Sequence, residues 1–356
     1  MRHSEKAAST VPRRQWGRRL SDALRDAVRT GDLGAARLLC LNGDGQSLSL
    51  AKEYSLMFKG LAGTVRVLLA QVGDLQMRGV GPPNAEPGSE ELRSLIRRFI
   101  RAFGASLPAG EPLAAPDEPL AAPDENASLA DEIAAARRLL DQGSNGFDRQ
   151  QAATAAQVLA ALERRDRERA LELVDRKELQ EYVPLHDTFI RLMADVFGWV
   201  LRRHGSEELL RFHLRTAEAM RAGFDAWEGM SAQEFAWTTA FLLKQHMGQV
   251  EVHETAERYT FHQTLCGSGG RLRKAGAYQG TGALPFVESP GPLTFGRERL
   301  PVYCSHCPVW NGVAPWRWYG HPHWVFDDAA RPDGGCTLHI YKKPAAVPAD
   351  YLKEIS

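Results

Sequence analysis

The stretch "PVYCSHCPVW" carries the residues best suited to chemistry, because Cys304 and Cys307 lie three positions apart with His306 between them. A C-x2-C pair at a turn can bind one metal ion, and two further thiolates would complete a tetrahedral zinc site. Cys266 and Cys336 fall in the same last third of the chain and are the predicted partners. Three interpretations stay open: a metal site, a redox pair, or ordinary buried thiols.

Zinc is the predicted metal, although thiolates also suit iron and other transition metals. Nearby histidines are alternative ligands: His306, His321, His323 and His262. Three protein ligands and a water would indicate catalysis, whereas four thiolates would close the site and make it structural. A redox pair is less favoured, because no thioredoxin-like βαβ pattern surrounds the two cysteines.

The segment "CGSGGRLRK" begins at Cys266 and places glycines before Arg271, Arg273 and Lys274. Glycine lets backbone N–H groups approach an anion, and arginine can hold a carboxylate through two hydrogen bonds. We therefore expect Arg271 and Arg273 to bind a carboxylate or phosphate of the substrate. The plainer alternative is a Gly-rich turn with solvated basic side chains.

Aromatic residues surround two histidines in "WRWYGHPHWVF", where Trp318 is the predicted wall of a substrate pocket. His321 and His323 are predicted catalytic residues, since an imidazole can act as a general base or polarise a metal-bound water. The acidic candidates for a general base are Glu254, Asp327 and Asp328, with Glu254 placed among the catalytic residues. Aromatic clusters of this kind also occur in ordinary cores.

Apolar residues recur at helical spacing through most of the first 249 positions, so helices must position these groups. The composition and periodicity predict four parts: helical unit 1 (1–105), a Pro/Ala/acidic linker (106–128), helical unit 2 (129–249) and a Cys-rich α+β domain (250–356). Ser21 and Ser231 are predicted helix caps, and Gly73 a predicted helix end. The linker contains the tandem sequence "EPLAAPD", which has little to bury.

The two helical parts are similar in sequence. "AVRTGDLGAARLL" from Ala27 matches "ALERRDRERALEL" from Ala161, and Met57 and Gly73 of the next helix match Phe189 and Gly205. A duplicated helical unit explains the match, although two unrelated helix pairs with similar faces would also produce it. The adjacent pair His186–Asp187 opens the second long helix, where it could cap the helix or orient a proton transfer.

From about residue 249 the pattern changes to alternation, which predicts a β-hairpin ending at Cys266 and further strands at "HWVFDD" and "CTLHIYKK". "CGSGGRLRKAGAYQGTGALPF" is predicted as a loop, and "CSHCPVW" as the start of a short helix. The predicted fold class is α+β: a mainly helical body with a duplicated helical unit, followed by a small C-terminal α+β metal-binding domain.

Charge and length exclude some classes of function. The 356 residues contain 44 Lys and Arg and 44 Asp and Glu, so the formal net charge of zero offers no basis for nucleic-acid binding. No membrane partner is expected from the apolar runs, and the basic N-terminus lacks the apolar core of a secretory signal. We expect a cytoplasmic protein, in which clustered cysteines indicate metal binding or catalysis more than disulfides.

The order of these C-terminal features resembles the L-2-amino-thiazoline-4-carboxylate hydrolase-like proteins and, more distantly, the vinyl-reductase-type small-molecule-binding domain. The shared features are Cys266 after a strand, the "YC" at Cys304, and a Gly-containing turn into "CTLHI". The resemblance covers about a quarter of the chain and implies a metal or active cluster at Cys266, Cys304, Cys307 and Cys336. Cys307 departs from the hydrolase-like pattern, where an acidic residue is expected.

Together these features predict a zinc-dependent enzyme, a hydrolase, that acts on a small carboxylate-bearing organic molecule. Two alternatives remain: a small-molecule-binding or sensor module with a structural zinc, and a helical-repeat scaffold with a zinc-stapled domain. The number of protein ligands on the metal would separate the first two, and an exposed apolar groove on the helices would favour the third.

Overall fold

A computed structural model describes residues 11–77, 86–107 and 127–355. The protein is mainly helical, with a small antiparallel sheet in its C-terminal region, as expected. The described residues divide into two compact units, a helical unit (residues 18–192) and a sheet unit (residues 11–17 and 193–355). This division differs from the four predicted parts, because the last predicted helices of unit 2 belong with the sheet.

The helical unit contains α1 (Leu20–Thr30), α2 (Leu33–Asn42), α3 (Ser55–Met77), α4 (Glu86–Ser106), α5 (Leu129–Glu163) and α6 (Arg167–Asp175). A 3-10 turn (Leu50–Lys52) precedes α3, and a π-helix (Arg176–Tyr182) leads from α6 into α7 (Val183–Ala219), which continues past the unit boundary. The tandem "EPLAAPD" of the predicted linker lies outside the described residues.

The two segments matched in sequence contain the same turn. Gly31 and Arg165 both adopt a positive φ, and the Asp that follows each of them caps the next helix. Asp32 accepts a hydrogen bond from the backbone of α2, and Asp166 accepts the corresponding bond in α6. The apolar faces of these helices pack with α5 into one core, which includes Leu24, Val28, Val158, Leu162 and Leu173.

Two predicted helix boundaries in this unit are wrong. Ser21 is not a cap: α1 begins one residue earlier, and the buried Ser21 hydroxyl donates to Glu53 at 2.7 Å. Gly73 does not end α3, which continues to Met77. Its counterpart Gly205 does interrupt α7, with a positive φ of 81°.

In the sheet unit, α7 is followed by α8 (Arg221–Glu228) and α9 (Ala232–Gln245). Ser231 caps α9 as predicted: its hydroxyl accepts from the Glu234 backbone while the Glu234 carboxylate accepts from the Ser231 backbone. The predicted hairpin is also present, as β1 (Gln249–Glu254) and β2 (Arg258–Leu265). Buried Val250 and Val252 alternate with exposed Glu251, which gives β1 one core face.

The predicted loop after Cys266 contains a short helix, α10 (Gly269–Lys274), because its glycines let that turn pack closely against neighbouring chain segments. A minor pair follows, β3 (Phe286–Val287) and β4 (Leu300–Pro301). The segment after it winds through a 3-10 turn (Val302–Ser305), α11 (His306–Pro308), a π-helix (Val309–Val313) and α12 (Ala314–Tyr319). Single-turn π-helices of this kind are frequent at functional sites.

The remaining predicted strands are β5 (Val325–Asp328) and β6 (Cys336–Tyr341), and a helix, α13 (Ala349–Ile355), ends the described chain. The four-stranded sheet has the order β1-β2-β6-β5, with every pair antiparallel. Cys336 pairs with Gln263 in β2, three residues before Cys266. The register therefore brings Cys266 and Cys336 to the same end of the sheet.

The N-terminal residues 11–17 are part of the sheet unit's core. Trp16 is fully buried, packs edge-on against Trp237 at 5.1 Å between ring centroids, and stacks on Tyr259 at 5.8 Å. Gly17 is required there, since an added Cβ would lie 2.3 Å from the carbonyl oxygen of Val250. Residues 11–17 thus complete a core built mainly from the last third of the chain.

Among the described residues, the segment Leu50–Gln76 is long and apolar enough to cross a membrane by length and composition alone. Core helices of water-soluble proteins meet the same criterion.

Candidate functional site

The four predicted ligand cysteines lie in one neighbourhood of the sheet unit. Cys266 and Cys336 are at one end of the sheet, and Cys304 and Cys307 are on the turn that packs against the same core. Their thiols are close enough to influence one another electrostatically. Three separate segments of the chain therefore bring four sulfur atoms into one neighbourhood. All four cysteines are free thiols.

Burial makes the thiols of Cys304, Cys307 and Cys336 weak acids. It raises the pKa of Cys304 and of Cys336 to about 12, and it raises that of Cys307 well above the usual value. The neighbouring thiols add to the effect, whereas the Arg273 guanidinium opposes it. Since the thiolate is the reactive form, the cluster is unsuited to nucleophilic or redox chemistry as it stands. This argues against the redox interpretation of the C-x2-C pair.

Arg273 belongs to the cysteine cluster. Its guanidinium donates to the Cys304 sulfur at 3.4 Å and to the backbone carbonyls of Arg331 and Gly335 at 3.1 and 3.3 Å. Arg271 donates to the carbonyl of His246 at 3.1 Å. The two arginines predicted to hold a substrate carboxylate therefore donate hydrogen bonds to backbone carbonyls, and Arg273 also donates to a cysteine of the cluster.

The glycines of "CGSGG" serve close packing around the same cluster. A Cβ on Gly269 would lie 2.8 Å from the Cys304 sulfur, and one on Gly270 would lie 2.3 Å from the carbonyl oxygen of Gly334. Real Cβ contacts are not this short, so only glycine at these two positions lets the turns that carry Cys304 and Cys336 approach this closely. The Gly-rich sequence thus supports the cysteine cluster, rather than the predicted anion site.

Two histidines lie close to the turn that carries Cys304 and Cys307, and one of them, His213, is fully buried. His306 approaches the Cys307 sulfur at 3.4 Å through Nε2 and the carbonyl oxygen of Tyr303 at 2.5 Å through Nδ1. Burial lowers the pKa of His306 to about 4, so this imidazole is neutral at pH 7. His213 contacts the Ser305 hydroxyl at 2.9 Å, and burial lowers its pKa well below the usual value.

The geometry does not form a ready metal site. Across the described residues, no three His, Cys, Asp or Glu side chains are grouped so that they could hold a metal ion. The donor chemistry fits zinc, because four neighbouring thiols are soft ligands. The sulfurs are brought into one neighbourhood but would have to move together to coordinate an ion.

A second candidate site contains His321 and His323. Their Nε2 atoms lie 3.1 and 3.2 Å from the two carboxylate oxygens of Glu228, the last residue of α8. These side chains line a cavity of about 200 Å³, with Trp227, Phe235 and Tyr341 among its walls. Two imidazoles and a carboxylate thus meet at the wall of a small, partly aromatic pocket, which we call the Glu228 pocket.

The protonation of this group follows from its contacts. An ionised carboxylate only accepts hydrogen bonds, so both Nε2 atoms carry the hydrogen, and in a neutral imidazole the Nδ1 atom then carries a lone pair. Burial lowers the pKa of His323, although the Glu228 carboxylate opposes this shift. His323 is nearly buried and stacks on Tyr319 at 5.4 Å, whereas the His321 side chain is 24% exposed. His321 is therefore the imidazole that a ligand or water can reach.

The third predicted catalytic residue, Glu254, is placed differently. It accepts from Lys342 at 2.7 Å and from Arg13 at 2.8 Å, at the end of β1. Burial alone would raise the pKa of Glu254, but these hydrogen bonds lower it to about 2. A carboxylate this acidic is a poor proton acceptor at neutral pH.

The predicted wall residue Trp318 packs against Phe224 at 5.5 Å and lies under the Arg221 guanidinium. It is not among the residues that line the Glu228 pocket. Asp327 is exposed and faces His339 at 3.5 Å, and the Asp328 side chain lies outside the described part of the chain. None of these contacts indicates catalysis.

The remaining histidine candidates have local partners. His186 is buried in the helical unit, with Nδ1 2.9 Å from Asp187, and it lies in the first turn of α7. His262 is exposed on β2 and packs edge-on against His253 at 5.4 Å.

Sequence reasoning missed Glu228 and His213. Glu228 lies more than ninety positions before its two histidines, as the last residue of an ordinary amphipathic helix. His213 sits inside a long helix and is separated from Ser305 by 92 positions. No local spacing could have identified either residue, because their partners are supplied by the fold.

No protein-family model, no curated protein and no solved structure matches this chain. The resemblance of the C-terminal residues to the hydrolase-like proteins therefore remains an expectation from the sequence.

Proposed function

We propose that this protein is a hydrolase that acts on a small organic molecule in the Glu228 pocket. The observation that carries the proposal is the Glu228 carboxylate, which accepts hydrogen bonds from two imidazoles lining an aromatic cavity. A carboxylate that holds one imidazole nitrogen leaves the other free to accept a proton, which is how general-base histidines are oriented. The same carboxylate stabilises the imidazolium that forms.

The three side chains take different roles. His321 is the general base, because it is accessible and its Nδ1 contact, to the carbonyl oxygen of Pro322 at 3.5 Å, is too long to be strong. It accepts a proton from the attacking water and returns it to the leaving group. His323, held between Glu228 and Tyr319, is a positioning residue.

We further propose that Cys266, Cys304, Cys307 and Cys336 bind one zinc ion with a structural role. Four thiolates would fill a tetrahedral coordination sphere and leave no position for water. When bound, zinc would cross-link the three chain segments that carry these cysteines. Its binding would release the thiol protons, since burial holds Cys304 and Cys336 protonated without it.

The helical unit supports a proposal about its origin. The paired turns at Gly31 and Arg165, each followed by a capping Asp, favour a duplicated helix pair over two unrelated ones. Protein binding is a second candidate function for this unit, because Leu38 and Leu41 of α2 are 59% and 49% exposed. Apolar side chains on one helix face are typical of contact surfaces.

Turnover by a set of matched variants tests the hydrolase proposal. The panel contains L-2-amino-thiazoline-4-carboxylate, after which the resembled proteins are named, with small esters, amides and cyclic amidines. We expect His321→Ala to lower kcat by about 10²–10⁴-fold, the usual contribution of a general base. His253→Ala is the control, because this histidine is exposed on β1. Full activity of the His321 variant, or no hydrolysis of any compound, would refute the proposal.

A further inference from the structure

We propose that the Glu228 pocket selects small molecules that present a protonated nitrogen to Glu228, and that it rejects matched carboxylates. This rests on the proposed function, since it names the substrate class of the same pocket. It also replaces the expectation of a carboxylate held by Arg271 and Arg273, neither of which lines the cavity.

The charges around the pocket favour a cation. Of its lining residues, Glu228 and Lys342 are ionised, and the Lys342 ammonium is already paired with Glu254 at 2.7 Å. The described contacts of Glu228 are to two imidazoles, and burial keeps His323 neutral by lowering its pKa. Among the described residues, the Glu228 carboxylate therefore has no lysine or arginine partner.

Glu228 can still accept further hydrogen bonds. Each carboxylate oxygen receives one N–H from a histidine and keeps a second lone pair. The Glu228 side chain is 35% exposed, so a ligand can reach it. An ammonium or amidinium group supplies the missing charge and donors together.

The walls favour the same ligand. Trp227, Phe235 and Tyr341 line the cavity, and aromatic faces attract a cation held near them. The volume of about 200 Å³ is below the range typical of drug-sized pockets, so the ligand is small. A carboxylate placed here would face the like charge of Glu228 and lose part of its hydration.

Three matched probes test the charge preference on the full chain by isothermal titration calorimetry: benzylamine, benzyl alcohol and benzoate at pH 7. We expect benzylamine to bind about tenfold to a hundredfold more tightly than benzyl alcohol, as a hydrogen bond between charged groups would give. Benzoate should bind most weakly. Equal or tighter binding of benzyl alcohol or benzoate would overturn the inference, and so would the absence of measurable binding of all three.

Two isosteric variants test whether the preference for a cation arises at Glu228. Glu228→Gln should weaken benzylamine binding by about tenfold or more and leave benzyl alcohol within about twofold, since only the charge is removed. Glu251→Gln removes the same charge from an exposed position on β1 and should change neither affinity. Unchanged benzylamine affinity in the folded Glu228 variant refutes the assignment. If that variant does not fold, the probe ranking on the unaltered chain decides.

The outcome is separable from that of the hydrolase proposal, because binding is measured without turnover. A benzylamine preference that depends on Glu228, combined with no hydrolysis of any panel compound, would keep the cation site and remove the catalytic role. Hydrolysis that depends on His321, combined with a benzoate preference, would keep the catalytic role and remove the cation site.

Discussion

Replacing Lys177 by Met should strongly destabilise the helical unit. Lys177 is fully buried in the π-helix, with its ammonium 3.2 Å from the carboxylate of Glu53, which is 1% exposed. The ammonium also lies 4.3 Å from the centre of the Tyr54 ring. Removing one member of a buried ion pair leaves the other charge unpaired, which costs about 3–5 kcal/mol. We therefore expect the free energy of unfolding to fall by about that amount.

The magnitude depends on the charge left behind rather than on lost packing, because Met fills much of the space of the lysine stem. The double variant Glu53→Gln/Lys177→Met removes both charges and keeps an acceptor for the Ser21 hydroxyl, which donates to Glu53 at 2.7 Å. It should be more stable than the sum of the single variants predicts, by about 1–3 kcal/mol. Lys52→Met is the control, since Lys52 is exposed, and should stay within about 0.5 kcal/mol of the parent.

Urea denaturation followed by far-UV circular dichroism measures these differences, and hydrogen exchange of Arg176–Tyr182 localises them. Tryptophan fluorescence would not report on this unit, because residues 18–192 contain no tryptophan. A loss below about 1 kcal/mol for Lys177→Met would refute the reasoning. So would a double variant no more stable than the sum of its parts, since the charges would then be solvated or relieved by rearrangement.

Three further predictions concern the sheet unit, and one concerns the linker. Trp16→Ala should lower the unfolding free energy measured in urea by about 3–5 kcal/mol, because it empties a fully buried site, whereas the exposed Arg14→Ala should have little effect. Elemental analysis after gel filtration should find about one zinc ion per chain, and less in Cys304→Ser, since a hydroxyl is a poorer ligand than a thiolate. Protein made with zinc supplied but found free of metal would contradict the site. The hydrogen bonds that lower the pKa of Glu254 to about 2 stabilise the fold at pH values above 4.5, the pKa of this carboxyl in the unfolded chain. The greater stability of the parent over Glu254→Gln should therefore vanish as the pH falls from 4.5 towards 2. A difference that persists at pH 2 would exclude these hydrogen bonds as its source. Limited proteolysis should cut first within 106–128, and first cleavage at 181–249 would count against a linker there.

Some of the candidate site was predictable because its signals are local. The alternation at Val250 and Val252 and the capping pair Ser231–Glu234 depend on residues within a few positions, and both predictions are confirmed. The positions of the cysteines on strands and turns were predictable in the same way, since a hairpin and a final strand place Cys266 and Cys336 at strand ends.

One local signal gave the wrong answer because a distant residue competed for the same group. Ser21 has the side chain of a helix cap, but its hydroxyl bonds to Glu53, 32 positions away. Arg271 and Arg273 have the side chains of an anion site, and each also donates to a backbone carbonyl of another segment. A donor goes to the strongest acceptor that the fold places in reach, and sequence spacing does not contain that information.

The sequence by itself determined the helical and strand periods, the helix that begins after Ser231, and the collection of four cysteines in the last third of the chain. The tertiary structure alone decided which imidazoles meet a carboxylate, since Glu228 and His321 are 93 positions apart. It also decided the acidity of the groups: the Cys304 thiol and the Glu254 carboxyl depart from their usual pKa values because of burial and of partners brought from elsewhere. Secondary structure follows from neighbours along the chain, whereas reactivity follows from desolvation and charge, which exist only after distant segments have packed together.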